Sequence, residues 1–384
     1  MPPKAQAHIT AVMNDTCSSQ ESSSYEQRIG EARNRRRHSL KGSDRSDLAA
    51  TSPNGEPEVV DSHVPTTPKE VLANLEDYYS YKPKQGEVNR FTVALKDMPE
   101  WYVDNVYLLR GYRRITNSYL GCVKSLTYLH NETGNVLSHA LGAAGFIVLA
   151  QVFYGWLTVE TSTWADMLIM GTFFLGAVVC LGLSTTFHLC CCHSRGVAAI
   201  WLRGDYVGIV TLIMGSFVPS IYYGFFCNPS LQAVYLTIIV IFGITTICIT
   251  VSPKFFAPKY RLLRTGLFVS MGLTGIVPLA HALTKYGYHM TRHALSSGAL
   301  ISSGVIYFIG AVVYTARVPE RWAPGKFDIW FHSHQIFHVL VVAAAVVHYF
   351  GVVEQQRWWH THNHQCALSP EQLVRNLVTR FHLS

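Results

Sequence analysis

Between about residue 134 and residue 352 the chain passes through seven apolar stretches, each close to the ~20 residues a helix needs to cross the hydrocarbon core of a membrane. They lie at roughly 134–158, 165–190, 198–224, 231–251, 262–284, 295–316 and 328–352. Lipid offers no hydrogen bonds, so backbone N–H and C=O groups in such stretches must pair within their own segment. The pattern predicts an all-α membrane protein, a bundle of seven transmembrane helices. Pro219 and Pro278 fall inside spans, where membrane helices tolerate them. Charge is distributed to match, with 16 of the 24 Asp and Glu residues lying before residue 117.

The flanks read differently. Residues 1–65 are rich in Ser, Pro, Asn and charge, without a sustained apolar period, and are expected to be a disordered cytoplasmic tail. Within it Arg35 to Arg37 precede Ser39, a pattern for a basic-directed kinase or for a solvated cluster near anionic lipid. From Thr67 a helical spacing of Val71, Leu72 and Leu75 begins, and residues 66–128 are expected to form a cytoplasmic juxtamembrane helical region. Its Trp and Tyr content suits a membrane interface. Residues 129–353 are assigned to the seven-helix domain and 354–384 to an extracellular C-terminal tail. The first apolar run comes too late for a secretory signal, so the first span is expected to direct insertion. The net charge of +7 resides in the tail and in short loops, which points to a membrane and not to nucleic acid.

Orientation follows from Lys and Arg in alternate loops. Arg195, then Lys254, Lys259 and Arg261, then Arg317, Arg321 and Lys326 follow the second, fourth and sixth spans, while Lys285 and Arg292 are a minority after the fifth. The positive side faces the cytoplasm. The N-terminus is therefore expected inside and the C-terminus outside, inverted relative to G-protein-coupled receptors. The Asn131-Glu132-Thr133 sequon would then stay unglycosylated, and Cys227 and Cys366 would share the outer side, where a disulfide is open to them. Cys190, Cys191 and Cys192 are either a palmitoylation site or small apolar side chains ending a helix.

Ionisable residues inside the spans mark a site. His334 and His338 are four apart, share a helix face and can grip one ion together. His188 closes the second span, with Ser184 four residues before it. Asp205 opens the third, and an intramembrane charge costs at least ~2.5 kcal/mol, so a functional role is its default. Three imidazoles leave a fourth tetrahedral position for water, the arrangement of catalytic zinc, although imidazole also suits copper, iron and nickel. His139, His281 and His348 read as polar contacts lining the bundle, and His193 and His332 as substitute ligands, with helical facing against His332.

These strings resemble the progestin and adipoQ receptor family, and within it the adiponectin receptors. The likeness rests on PEWYVDNVYLLRGYR at 99–113, HNETGN at 130–135, STTFH with CHS at 184–194, IMGSFVPSIYY at 213–223, RVPER at 317–321 and GKFDIWFHSHQIFHVLVVAAAVVHYFGV at 325–352. It implies a seven-helix bundle with its N-terminus inside. It also implies zinc held by His188, His334 and His338, with Asp205 engaging the ion through water and Ser184 one turn before the first ligand. His332, Gly204 and the triple Cys depart from the pattern.

By resemblance the chain is expected to be a plasma-membrane receptor for an adiponectin-like extracellular protein, linked to lipid metabolism by zinc-dependent ceramide hydrolysis. Asp205 would handle water and proton, and the N-terminal region could meet a cytoplasmic adaptor. The alternative is a non-enzymatic hormone or sterol receptor whose zinc is structural. An ion or proton pathway would need ionisable groups through the whole membrane depth, whereas these cluster toward one face.

Overall fold

A computed structural model describes residues 91–157, 162–255 and 260–361. The expected tail, the helix start at Thr67, Ser39 and the residues after 361 lie outside the described residues. Seven helical segments within them are long and apolar enough to cross a membrane. The first is α2 (Thr133–Val152), which follows a short α1 (Tyr119–Lys124). Then come α3 (Trp164–Cys190), α4 (Arg195–Gly224) and α5 (Pro229–Val251). The fifth span is a pair, α6 (Arg261–Leu273) and α7 (Ile276–Ala294). α8 (Ser297–Ala316) and α9 (Ser333–Thr361) complete the bundle.

Local chemistry sets the ends. Thr163 and Asp166 form a reciprocal capping box at the start of α3, satisfying amides that the helix leaves free. Pro229 opens α5, where its missing N–H costs nothing. Outward faces stay apolar: Leu141, Leu168 and Ile241 are 71%, 61% and 60% exposed, which suits lipid and not water. The core runs through Phe146, Phe173, Leu181, Tyr349 and Val352.

α3 and α4 approach closely because glycines line their seam. A Cβ added at Gly208 would lie 2.9 Å from the Cys180 Cα, and one at Gly215 2.6 Å from the Thr172 carbonyl oxygen. Without a hydrophobic drive between helices in lipid, such backbone contact supplies the packing.

Two expectations need correction. The part of the juxtamembrane region that is described is not mainly helical. It pairs β1 (Thr92–Val93) with β2 (Tyr112–Arg113) antiparallel and adds single 3-10 turns at Leu95–Asp97 and Glu100–Tyr102 before α1. Leu95, Leu108 and Tyr112 make its own small core, and the positive φ of Gly111 turns the chain out of helical geometry. The seventh span is also shifted. Residues 328–332 form a non-helical connection, anchored by buried Asp328 and His332, in which the Asp328 carboxylate accepts from the Leu109 N–H at 2.8 Å. At the other end α9 continues past 353 to Thr361, since its polar residues face the bundle: Gln355 donates to the Leu295 carbonyl at 2.6 Å and Trp359 to that of Tyr223 at 2.8 Å.

Candidate metal centre

α2 packs against both α3 and α9 and so brings His188, near the end of α3, to the start of α9, where His334 and His338 occupy successive turns. One nitrogen from each imidazole lies within 4.8 Å of the other two. The ring centroids form a near-equilateral triangle, with His188 4.9 Å from His334 and 4.7 Å from His338, and those two 4.8 Å apart.

The hydrogen bonds fix which nitrogens face inward. His188 Nδ1 lies 2.7 Å from Glu132 Oε2, and its buried Nε2 has no hydrogen-bond partner. His338 Nδ1 is 3.2 Å from the Asn135 carbonyl and 3.4 Å from Ser138 Oγ, which leaves its Nε2 as the open donor atom. A ring whose outer N–H is held by a carboxylate or carbonyl and whose inner nitrogen is bare has the arrangement of a metal-ligating histidine. A buried polar atom without a partner calls for an ion or a water. The three residues therefore fit a metal ion, and nitrogen donors suit the first-row divalent metals.

Glu132 immediately precedes α2, and its charge is secured. Burial works against ionisation, but His188, Arg113 and the Asn135 amide hold the carboxyl well below the usual range. Asn135 Nδ2 donates to the same carboxylate oxygen at 2.6 Å. Arg113, fully buried, donates to the backbone carbonyls of His188 at 2.5 Å and Leu189 at 2.9 Å, closing the end of α3 with a cation where the helix dipole is negative. The sequence reading missed both residues. Glu132 sits inside a sequon just before a span, where an acid reads as a loop charge; Arg113 reads as one of several interfacial basic residues.

Asp205 on α4 is buried beside Ser184, whose side chain hydrogen-bonds to it, and both line the cavity that opens at the triad. The cavity holds about 1320 Å³ and continues between the helices as far as His348. Its walls are mainly apolar, and its volume exceeds the ~300–1,000 Å³ of ordinary small-molecule sites, which suits a long-chain lipid.

The other candidates separate cleanly. His332 Nε2 donates to the Asn131 carbonyl at 3.0 Å, and His193 lies by Ser194 and the Tyr119 ring, so neither joins the triad. His281 is bonded to Tyr235 at 2.8 Å. His139 stands closer than its reading as a bundle contact implies, stacked on His338 with centroids 3.6 Å apart. The Cys190, Cys191 and Cys192 side chains are buried, which favours the helix-ending reading over acylation. Cys227 is in a disulfide, and Cys366, the partner weighed for it, lies outside the described residues. Asn131 is 2% exposed, with its carbonyl engaged by His332, so the sequon carries no information about orientation.

Comparison with known proteins gives the family. Residues 127–349 match the haemolysin-III-related family. The chain is 46% identical over 259 residues to the adiponectin receptor protein of Drosophila melanogaster, covering 67% of this chain and 58% of that protein. It is 40% identical over 273 residues to progestin and adipoQ receptor-like protein 1 of Caenorhabditis elegans, covering 71% and 62%. It is also 39% identical over 278 residues to an ADIPOR-like receptor of Saccharomyces cerevisiae, covering 72% and 88%. The match thus spans less than two thirds of the first two of these relatives.

Proposed function

The chain belongs to the haemolysin-III-related family, together with proteins named adiponectin receptor and progestin and adipoQ receptor-like, and we propose that it is a zinc-dependent lipid amidase within a receptor of the adiponectin-receptor type. The single observation that carries this reading is the buried triad of His188, His334 and His338 at the head of a lipid-sized cavity, with the Asp205 carboxylate on the same wall. Ceramide is the proposed substrate. The chemistry supplied by a bound zinc ion is Lewis-acid polarisation of a carbonyl and activation of water near neutral pH.

The chain's own residues do the rest. Glu132 accepts from His188 Nδ1 and the Asn135 carbonyl holds His338 Nδ1, so both rings present Nε2 in a fixed orientation. Asp205 takes a proton from the attacking water and returns it to the leaving amine nitrogen, while Ser184 holds the carboxylate in place. The apolar cavity walls receive the acyl chain and exclude bulk water, which strengthens each of these electrostatic contacts. Water adds across the amide, giving a fatty acid and a sphingoid amine.

The loop charge supports a cytoplasmic N-terminus and an extracellular C-terminus, which sets the triad toward the cytoplasm. A plasma-membrane location, an adiponectin-like protein bound outside and an adaptor bound to the N-terminal region complete the reading. One observation favours the alternative of a structural metal in a non-enzymatic receptor: the triad ties α3 to α9, and Arg113 and Glu132 fasten the juxtamembrane segment to the same point. Metal content and ceramide turnover in Asp205→Asn separate the two. The hydrolytic reading expects metal retained with turnover lost; full turnover in that variant would remove the proton role of Asp205.

A further inference from the structure

Far from the triad, the cavity wall carries another imidazole. His348 follows His338 by ten residues in the unbroken α9, about 15 Å by the helical rise, and lines the same cavity. Among the described residues its hydrogen bonds are both made by Nε2, which lies 3.1 Å from the Ser216 carbonyl oxygen and 3.4 Å from Ser220 Oγ on α4. The same Ser216 carbonyl also accepts from Ser220 Oγ, one turn along α4, at 3.1 Å.

The partner dictates the tautomer. A carbonyl oxygen only accepts, so Nε2 carries the proton. An ionised ring is costly at this depth, so the imidazole is neutral and Nδ1 keeps a bare lone pair. His348 therefore offers the cavity a hydrogen-bond acceptor in mainly apolar surroundings, with the Phe173 ring 5.2 Å away. An acceptor so placed rewards a donor and gains nothing from a methylene or another acceptor.

We propose that His348 recognises a hydroxyl group on the cavity's lipid ligand, about 15 Å from the group held at the histidine triad: an acyl chain hydroxylated near its middle. The inference rests on the lipid reading of the cavity and deepens it from chain length to chain chemistry. A keto group at the same carbon presents no donor and is not selected.

The test is displacement of radiolabelled octadecanoic acid from the purified full-length protein by the unlabelled acid and by its 12-hydroxy and 12-keto derivatives. The hydroxy acid is expected to compete about three- to tenfold better than the parent, the worth of one hydrogen bond, and the keto acid no better. His348→Phe is expected to abolish the hydroxyl advantage while keeping affinity for the parent acid. Equal competition by hydroxy and keto acids, or an advantage that survives His348→Phe, overturns the proposal. The hydroxy-to-keto ratio in the wild type decides by itself if the variant does not fold. Good binding without discrimination removes only the hydroxyl inference; failure of octadecanoic acid to bind at all removes the lipid reading with it. Hydrolysis plays no part in the readout.

Discussion

Glu132 offers the sharpest perturbation of the metal centre, because it touches a ligand and not the ion. Its Oε2 lies 2.7 Å from His188 Nδ1, short enough for a charge-assisted hydrogen bond, and the same oxygen accepts from the Asn135 amide at 2.6 Å. Carboxylates in this position keep the ring in the tautomer that bares Nε2 and raise its basicity; their loss typically costs 10–100-fold in metal affinity, or about 1.4 to 2.7 kcal/mol. Glu132→Gln keeps an acceptor but loses the charge, and is expected near the tenfold end. Glu132→Ala also strands a buried imidazole N–H and the Asn135 amide, and is expected near the hundredfold end. Affinity is read by competition against a chelator of known zinc affinity on purified protein. Thermal stability with and without metal provides the control. If the only role of Glu132 is to close the loop before α2, both variants lose stability equally with and without metal, and affinity stays at the wild-type value. That result would refute the reasoning.

Three other outcomes are expected. Gly215→Val forces a side chain against the Thr172 carbonyl oxygen, 2.6 Å from the position of its Cβ, and should cost about 2 to 3 kcal/mol of stability, seen as a lowered thermal midpoint in detergent; an unchanged midpoint would mean that α3 and α4 can move apart freely. Asp328 is pushed up to about 6 by burial, against the pull of the Leu109 N–H. A raised folded value means its contribution is complete below the unfolded value of 3.8 and lost as pH rises through 6, so Asp328→Asn should gain on wild type by about 3 kcal/mol above pH 7 and by almost nothing at about pH 3; a pH-independent difference in unfolding midpoints would contradict the assignment. His338→Ala should abolish metal binding, whereas His332→Ala should leave it intact, since His332 is occupied by Asn131; metal analysis of the two proteins decides.

What could be read from the amino acids follows the physics of each signal. Helices in lipid announce themselves by length and apolarity, so the seven spans were visible, and the four-residue spacing of His334 and His338 placed both on one face. Loops and ends were less legible. Residues 354–361 carry Glu, Gln, Arg and His and resemble a chain leaving the membrane, yet Gln355 and Trp359 turn inward to satisfy carbonyls across the bundle. The helical reading of the juxtamembrane segment rested on the spacing of Val71, Leu72 and Leu75, and it does not extend to the described part, where Gly111 and the pairing of Val93 with Tyr112 fold the chain otherwise. Glu132 was hidden for a different reason. Its partner His188 is 56 residues away in sequence, and no local spacing encodes a contact between the start of α2 and the end of α3.

Zinc held by the triad and serving amide hydrolysis is the proposal on which the rest depends. Its most direct measurement is ceramide turnover by one preparation of the full-length protein as isolated, after metal removal by a chelator, and after zinc is restored. The account predicts about one zinc per chain as isolated, loss of turnover with the metal, and its return with zinc. Turnover that persists in metal-free protein, or its absence from protein that carries zinc in full, would contradict it.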